Sequence, residues 1–297
     1  MPIRFVFVTD SHHYPDAAQD YGAPKMLTHS REVLDAMVPA INAVRPDFIV
    51  HGGDLLCGGG SFDLPTETYR RSVDEVAAAV AGFEAPFYWI PGNHDCDAQT
   101  GSFADLHARL PMVDGIEVVQ AAPGLRLALS NVFEHEPLNN GGGIWTDALD
   151  IQLRQAAEEA LAKKQVLFLV LHPWILPDYE GNSGIIDHAG KLVETVSQCP
   201  AVAAVFTGHR HANRIRLYRD WLVVDTACLI GYPMGFRLLE LTDDGYMNCR
   251  FIPLDLPELI AASKARSSDD ANRMWAGQIH DRDTEVLLPR FKAVWSP

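Results

Sequence analysis

Along the chain, short apolar runs ending in glycine and ligand-type polar residues alternate with longer stretches whose apolar side chains recur every three or four positions. The first pattern is that of buried strands, the second that of amphipathic helices. Residues 3–9, 48–50, 86–90, 166–171 and 202–207 read as strands, and residues 67–81 and 191–198 as helices. Residues 25–44 read as one helix, with Met26, Val33, Leu34, Met37, Val38 and Ile41 near helical spacing. Residues 147–164 read as another, capped by Asp147. Residues 116–132 suggest two strands around a turn at Pro123 and Gly124, and residues 139–143 a loop. After residue 211 the pattern becomes consecutive strands at 215–218, 221–226, 236–241 and 246–253.

Alternating strands and helices predict a layered α/β domain, and the late run of strands predicts sheets that are not purely parallel. The expected build is two mixed sheets packed face to face, with helices outside, over residues 1–254. Residues 255–297 are polar and read as mostly helical: a C-terminal extension acting as cap, strap or dimerisation arm. Trp275 and Trp295 are its expected docking anchors, and a homo-oligomer is the preferred assembly.

Charge and composition narrow the partners. The formal net charge is −15, and no basic cluster exceeds a pair of residues. Long nucleic acid is therefore a poor partner, because gripping a phosphate backbone requires a basic face. A small anionic substrate stays open, since bound metal ions reverse the local field. No apolar run reaches the roughly 18 residues of a membrane span. The first residues lack a signal-peptide layout, so the cytoplasm is the expected location. The five cysteines are widely spaced without a CxxC pair, which suggests neither a disulfide framework nor a zinc knuckle.

The candidate chemistry lies where the strands end. The first ends in Asp10-Ser11-His12, the second in Gly53-Asp54, the third in Gly92-Asn93-His94-Asp95, the fourth in His172 and the fifth in Gly208-His209-Arg210-His211. In α/β sheets the carboxyl ends of strands are the edge where ligands bind. Asp, Asn and His offer oxygen and imidazole donors without thiolate, a set suited to Zn²⁺, Mn²⁺ or Fe. Gly53, Gly92 and Gly208 allow the backbone to turn sharply beside them.

This ordered set (Asp-x-His, Gly-Asp, Gly-Asn-His-Asp, His, Gly-His-x-His) resembles the calcineurin-like metallophosphoesterase superfamily. It is similar in particular to the bacterial class III cyclic-nucleotide phosphodiesterase and glycerophosphodiesterase branch, over residues 10–211. The resemblance implies a four-layered α/β/β/α sandwich. It also implies a binuclear centre of Mn, Fe or Zn that activates water to hydrolyse a small phosphodiester or phosphomonoester. By that resemblance Asp10, His12 and His211 hold the first ion, Asn93, His172 and His209 the second, and Asp54 bridges them. His94 faces the substrate as general acid or electrostatic clamp, its ordinary pKa near 6.5 suiting proton delivery. Asp95 either orients His94 or shapes the loop. Cys57 stands where the purple acid phosphatase branch has a tyrosine ligand, which argues against a tyrosinate–iron site.

Around these residues, His13 is expected to face solvent and Arg210 to point away from the ions. His51 reads equally as a hydrogen-bond support or a core residue. Loops 14–24, 58–64 and 179–188 are the expected specificity walls. The competing readings are a nuclease of the same superfamily and a catalytically silent metal-binding scaffold.

Overall fold

The computed structural model describes residues 2–22, 24–112, 114–134, 138, 142–177 and 184–295. Residues 139–141 and 178–183 of two expected loops, and the Trp295 side chain, lie outside them. Among the described residues twelve strands follow in chain order: β1 (Ile3–Val8), β2 (Phe48–His51), β3 (Phe87–Trp89), β4 (Ile116–Ala122), β5 (Leu125–Ser130), β6 (Val166–Val170), β7 (Val202–Thr207), β8 (Arg214–Tyr218), β9 (Trp221–Asp225), β10 (Gly235–Leu241), β11 (Tyr246–Pro253) and β12 (Thr284–Leu287). They form two six-stranded sheets, ordered β12-β11-β10-β1-β2-β3 and β4-β5-β6-β7-β9-β8. Strands β1-β2-β3 and β5-β6-β7-β9 run parallel, and the flanking strands pair antiparallel. The sheets are mixed, as the late strand run predicted.

Period-2 alternation assigns each strand two faces. On β1, Phe5 and Phe7 join the core between the sheets, while Val6 and Val8 turn outward. On β6, Phe168 and Val170 point inward, and Leu167 and Leu169 outward. Phe5 stacks on Phe48 (4.9 Å) and meets Phe206 edge-on at 5.8 Å across the interface. Helices α1 (Ser30–Ala43) and α2 (Thr66–Val80) cover the outer face of the first sheet through Val33, Leu34, Met37, Val73 and Val76. A short α3 (Ala104–Arg109) packs beside α2. Helices α4 (Asp147–Ala162) and α5 (Ala189–Gln198) cover the second sheet. The layers are thus α/β/β/α.

Two helix starts differ from the periodicity. The α1 helix begins at Ser30 after a 3-10 turn, not at residue 25. The preceding backbone is used elsewhere: the Lys25 carbonyl accepts from Tyr21 N, and Met26 N donates to Ile230 O. The cap of α4 is Thr146, whose hydroxyl accepts from Leu149 N at 3.2 Å, and Asp147 sits one residue inside.

Residues beyond 254 fold as α6 (Pro257–Ala265), α7 (Asp269–Ala276), α8 (Ile279–Arg282), β12 and α9 (Pro289–Trp295). They pack against both sheets, β12 on β11 and α9 on β6 and β7. β12 extends the first sheet, and Leu288 and Phe291 are buried in the core between the sheets. The Arg290 guanidinium donates to the carbonyls of Val196, Ser197, Cys199 and Val202, closing the C-terminal end of α5. In α7, Trp275 packs on Trp174 and Ala212, directly after His211.

Candidate metal centre

The five ligand-bearing turns follow five parallel strands, three in one sheet and two in the other. Packing the sheets face to face brings both sets of carboxyl ends to one edge. Backbone hydrogen bonds then stitch the turns together: Asp10 N to Gly53 O (3.0 Å), His12 N to Asp54 O (3.0 Å), and Gly208 N to His172 O (2.9 Å). The turns are tight. Asp10, His12, Asp54, His209 and His211 all adopt positive φ, from 42° to 68°. A non-glycine residue in that region costs about 1–2 kcal/mol, and such strain concentrates at functional sites. Gly53 (φ 95°) has no such cost, and a Cβ there would sit 2.7 Å from His172 Nδ1. At Gly92 a Cβ would lie 2.1 Å from Asp54 Oδ1 and displace that carboxylate.

All seven side chains read as metal ligands from the sequence come together, and most are fully buried. Ligand atoms of Asp10, His12 and His211 form one cluster, and those of Asp54, His172 and His209 another. Asp54 also groups with His12 and His94, so it lies between the clusters. Asn93 Oδ1 is 3.0 Å from His209 Nδ1.

The donors fit cations. His172 Nδ1 donates to Gly52 O at 2.7 Å, which leaves Nε2 as an unprotonated acceptor. That Nε2 is buried without a hydrogen-bond partner, 3.1 Å from Asp54 Oδ2. His12 Nε2 lies 3.3 Å from His211 Nε2 and 3.5 Å from Asp54 Oδ2, and His211 Nε2 lies 3.2 Å from Asp10 Oδ1. Lone pairs converging at these distances repel unless a proton or cation sits among them. Donors bonded to one ion at about 2.0–2.2 Å stand roughly 3 to 3.6 Å apart, which matches.

Without an ion, protons take that role. Burial pulls the His172 ring down, but Asp54 and Asp10 overcome it and push its pKa up to about 9. For His211 burial is likewise outweighed, by Cys228 and Asp10, and the pKa rises to about 10. Burial pushes the Asp10 and Asp54 carboxyls up, yet His211 and His172 for the former, and His172, His94 and His12 for the latter, hold both well below the usual range. The raised imidazoles stabilise the ion-free protein fully below about pH 6.5, and that contribution fades as pH rises towards 9–10. Ion binding needs neutral rings, so its contribution grows over the same window. The melting temperature of ion-free protein should therefore fall between pH 6.5 and 9, while the increment added by Mn²⁺ rises. Differential scanning fluorimetry across that range checks it; an increment that shrinks with pH would contradict the assignment.

Several neighbours differ from the sequence reading. His94 is buried, and burial first, with Lys25 and His12 adding to it, holds its ring well below the ordinary histidine range, so it is neutral. Its Nδ1 donates to Gly58 O at 3.0 Å. The Asp95 carboxylate does not serve that ring. It accepts from Asp54 N (2.8 Å), Gly92 N (2.7 Å) and Leu56 N (2.9 Å), tying together the turns that carry Asp54 and Asn93. Of the two roles the sequence left open for Asp95, its contacts are those of the loop-shaping one. Burial pushes its pKa up to about 7, with the Asp54 charge adding to it, against the pull of the Gly92 and Leu56 N–H groups. His13 is buried rather than facing solvent, with Nε2 2.7 Å from Glu75 on α2.

His51 is a support: Nδ1 accepts from Gly53 N and Nε2–H donates to Ser11, joining the first two ligand turns. Cys57 is buried, its thiol donating to His12 O. Arg210 lines the cleft, its guanidinium over the Trp174 ring at 5.5 Å.

Above the ligands lies a cleft of 370 Å³, walled by Tyr21, Lys25, Ser61, Arg210, Met274 and Trp275. Among the described residues, two of the three loops expected as walls contribute, through Tyr21 and Ser61; residues 179–183 of the third lie outside them. Lys25 was hidden inside the helical pattern. Met274 and Trp275 come from α7, for which the sequence offered no motif, only Trp275 as an expected docking anchor.

The profile of the calcineurin-like phosphoesterase family matches residues 3–213. The chain is 25% identical over 266 residues to the 3′,5′-cyclic adenosine monophosphate phosphodiesterase CpdA of Escherichia coli, covering 82% of this chain and 86% of that protein. It is 29% identical over 178 residues to a protein of Rhodopseudomonas palustris named as a probable cyclic nucleotide phosphodiesterase; that match covers 58% of this chain and 57% of the relative. In three dimensions it resembles a dimetal phosphatase from Danio rerio with a TM-score of 0.74 at 12% identity, covering 97% of this chain and 100% of the other. Among the described residues no helix is long and apolar enough to cross a membrane. Convergent turns, paired ligand clusters and a family match across most of the chain lead to one statement: this chain belongs to the calcineurin-like phosphoesterase family and is a hydrolase of phosphoric esters.

Proposed function

We propose that the chain hydrolyses a small phosphodiester of the cyclic-nucleotide or glycerophosphodiester type at a two-ion centre. Asp10, His12 and His211 hold one ion, Asn93, His172 and His209 the other, and Asp54 bridges. The observation that carries this reading is that Asp54, grouped with His172 and His209, also reaches His12 of the other cluster at the floor of one cleft. The cleft volume suits a nucleotide-sized ligand, and the Tyr21 ring at its mouth is 48% exposed, available to a planar base. Bound ions would supply an activated water and neutralise charge on the phosphoryl oxygens.

The chain's own residues supply the rest. Asp54 spaces the two clusters and accepts a hydrogen bond from His94 N at 2.9 Å, which locks the His94 turn against it. With Nδ1–H committed to Gly58, the other His94 ring nitrogen is the one free to hold a proton. A phosphate anion in the cleft favours the protonated ring, so His94 becomes an acid for the leaving oxygen once substrate is bound. His94→Ala should retain both ions and lose roughly 10²- to 10⁴-fold in rate, more for an alkyl leaving group than for nitrophenolate. Equal losses for both leaving groups would remove the acid role, and loss of an ion would remove the whole assignment.

The test of the function is a panel on ion-stripped protein reloaded separately with Mn²⁺, Zn²⁺, Fe²⁺ or Co²⁺. Cyclic AMP, glycerophosphocholine and aryl mono- and diesters are compared by initial rate. Turnover of at least one diester with a loaded form is expected. Failure of every loaded form that carries two ions per chain to cleave any of them would defeat the reading.

A further inference from the structure

The cleft holds a cation that ion binding does not explain. Lys25 is only 8% exposed, yet it lines the same cleft as Asp54, Asn93, His94, His209 and His211. Its ammonium lies over the Phe62 ring at 5.4 Å from the centroid and, among the described residues, donates no hydrogen bond. The backbone holds it there from both sides, through Tyr21 N to Lys25 O at 3.1 Å and Met26 N to Ile230 O at 3.0 Å.

Taken alone, this arrangement is unfavourable. An ammonium on a buried stem, meeting only one aromatic face and the cleft, gives up part of its hydration with no protein acceptor in exchange. It also stands beside a cluster that fits two further cations, and like charges repel strongly where water is excluded. Nor is it part of a basic surface, since the chain is acidic overall, with a net charge of −15. One kind of ligand removes both penalties: an oxyanion in the cleft, reachable by the ammonium and the ion sites together.

We propose that Lys25 is a substrate-binding residue that donates a charged hydrogen bond to a non-bridging phosphoryl oxygen of the substrate. This rests on the reading of the cleft as the phosphoester site. Phe62 keeps the ammonium on the cleft side, and the unsatisfied N–H groups are left for the oxyanion.

The experiment is calorimetric titration of inorganic phosphate into Mn²⁺-loaded wild type, Lys25→Met and Lys25→Arg. Thermal unfolding without phosphate and kinetics on an aryl phosphodiester accompany it. Lys25→Met should bind phosphate about ten- to hundredfold more weakly, the range of one charged hydrogen bond. Its KM should rise more than its kcat falls, with Mn²⁺ content unchanged. Its unfolding temperature should be no lower than that of wild type, because an uncompensated charge has been removed. Lys25→Arg should keep most of the phosphate affinity. Should Lys25→Met prove insoluble, Lys25→Gln is read the same way. A folded variant that binds phosphate as tightly as wild type overturns the proposal. Wild type that cleaves esters while indifferent to Lys25 defeats this inference alone; wild type that binds phosphate through Lys25 yet cleaves nothing defeats the proposed function alone.

Discussion

Asp54→Ala is expected to bring the ion content below two per chain and to reduce phosphodiester turnover by more than roughly 10⁴-fold. The size follows from position. Asp54 Oδ2 lies 3.1 Å from His172 Nε2 and 3.5 Å from His12 Nε2, so one carboxylate faces an imidazole of each cluster. Its removal leaves buried nitrogens with no anion between them, and each ion loses a charged donor. Ion-assisted stabilisation of a developing phosphoryl charge amounts to several kcal/mol, and each 1.4 kcal/mol is about tenfold in rate. Metal content by plasma mass spectrometry and initial rates on an aryl phosphodiester check both halves. A variant with two ions per chain and near-normal turnover would show that Asp54 does not bridge. Asp54→Asn sharpens the test, since it keeps the shape and an oxygen donor but removes the charge; it should rank between wild type and Asp54→Ala in ion content.

Asp95→Ala is expected to cost stability before it costs chemistry. Three backbone N–H groups, of Asp54, Leu56 and Gly92, lose their acceptor at a fully buried site. An unsatisfied buried donor costs about 1–3 kcal/mol, so together they reach a sizeable share of the roughly 5–15 kcal/mol that keeps a typical domain folded. The urea midpoint should fall sharply, or soluble protein should be lost. Asp95→Asn retains one oxygen, so it should fold with a smaller loss and keep the rate of its folded fraction within about tenfold of wild type. If Asp95 instead acted through the His94 ring, Asp95→Asn would leave the midpoint alone and depress kcat in the manner of His94→Ala. The Asp95 carboxyl bonds to backbone on both sides of the Asp54 turn, whereas the His94 ring bonds to Gly58, and that separation favours the first outcome.

Residue pattern alone determined the layers of this protein and the set of donor residues that meet at one edge of it. Short apolar runs at β1 and β6 and a period near 3.6 along α1 are local consequences of backbone geometry, so they are visible before any packing. The donor residues that converge were legible for the same reason. Each is joined to a strand end by a few residues, and strand ends in α/β sheets converge on one edge. What the pattern could not contain was partnership. Periodicity reports which face of an element is buried, not what covers it. It therefore placed His13 in solvent, when Glu75 on α2 receives it in the interior. It ran a helix through Lys25, when the backbone there is engaged by Tyr21 and Ile230 and its side chain is turned into the cleft.

The same limit hid β12, a four-residue strand in a polar tail whose only signal is the open edge of β11. It also kept open whether Asp95 served His94 or the loop, a choice made by three N–H groups that lie up to 41 residues away in the chain. An acid's role depends on which donors reach it, and a histidine's proton depends on burial and neighbouring charge. Both are sums over residues distant in sequence. Only folding sets those distances, and so the burial that leaves His94 neutral and Lys25 without an acceptor belongs to the tertiary structure alone.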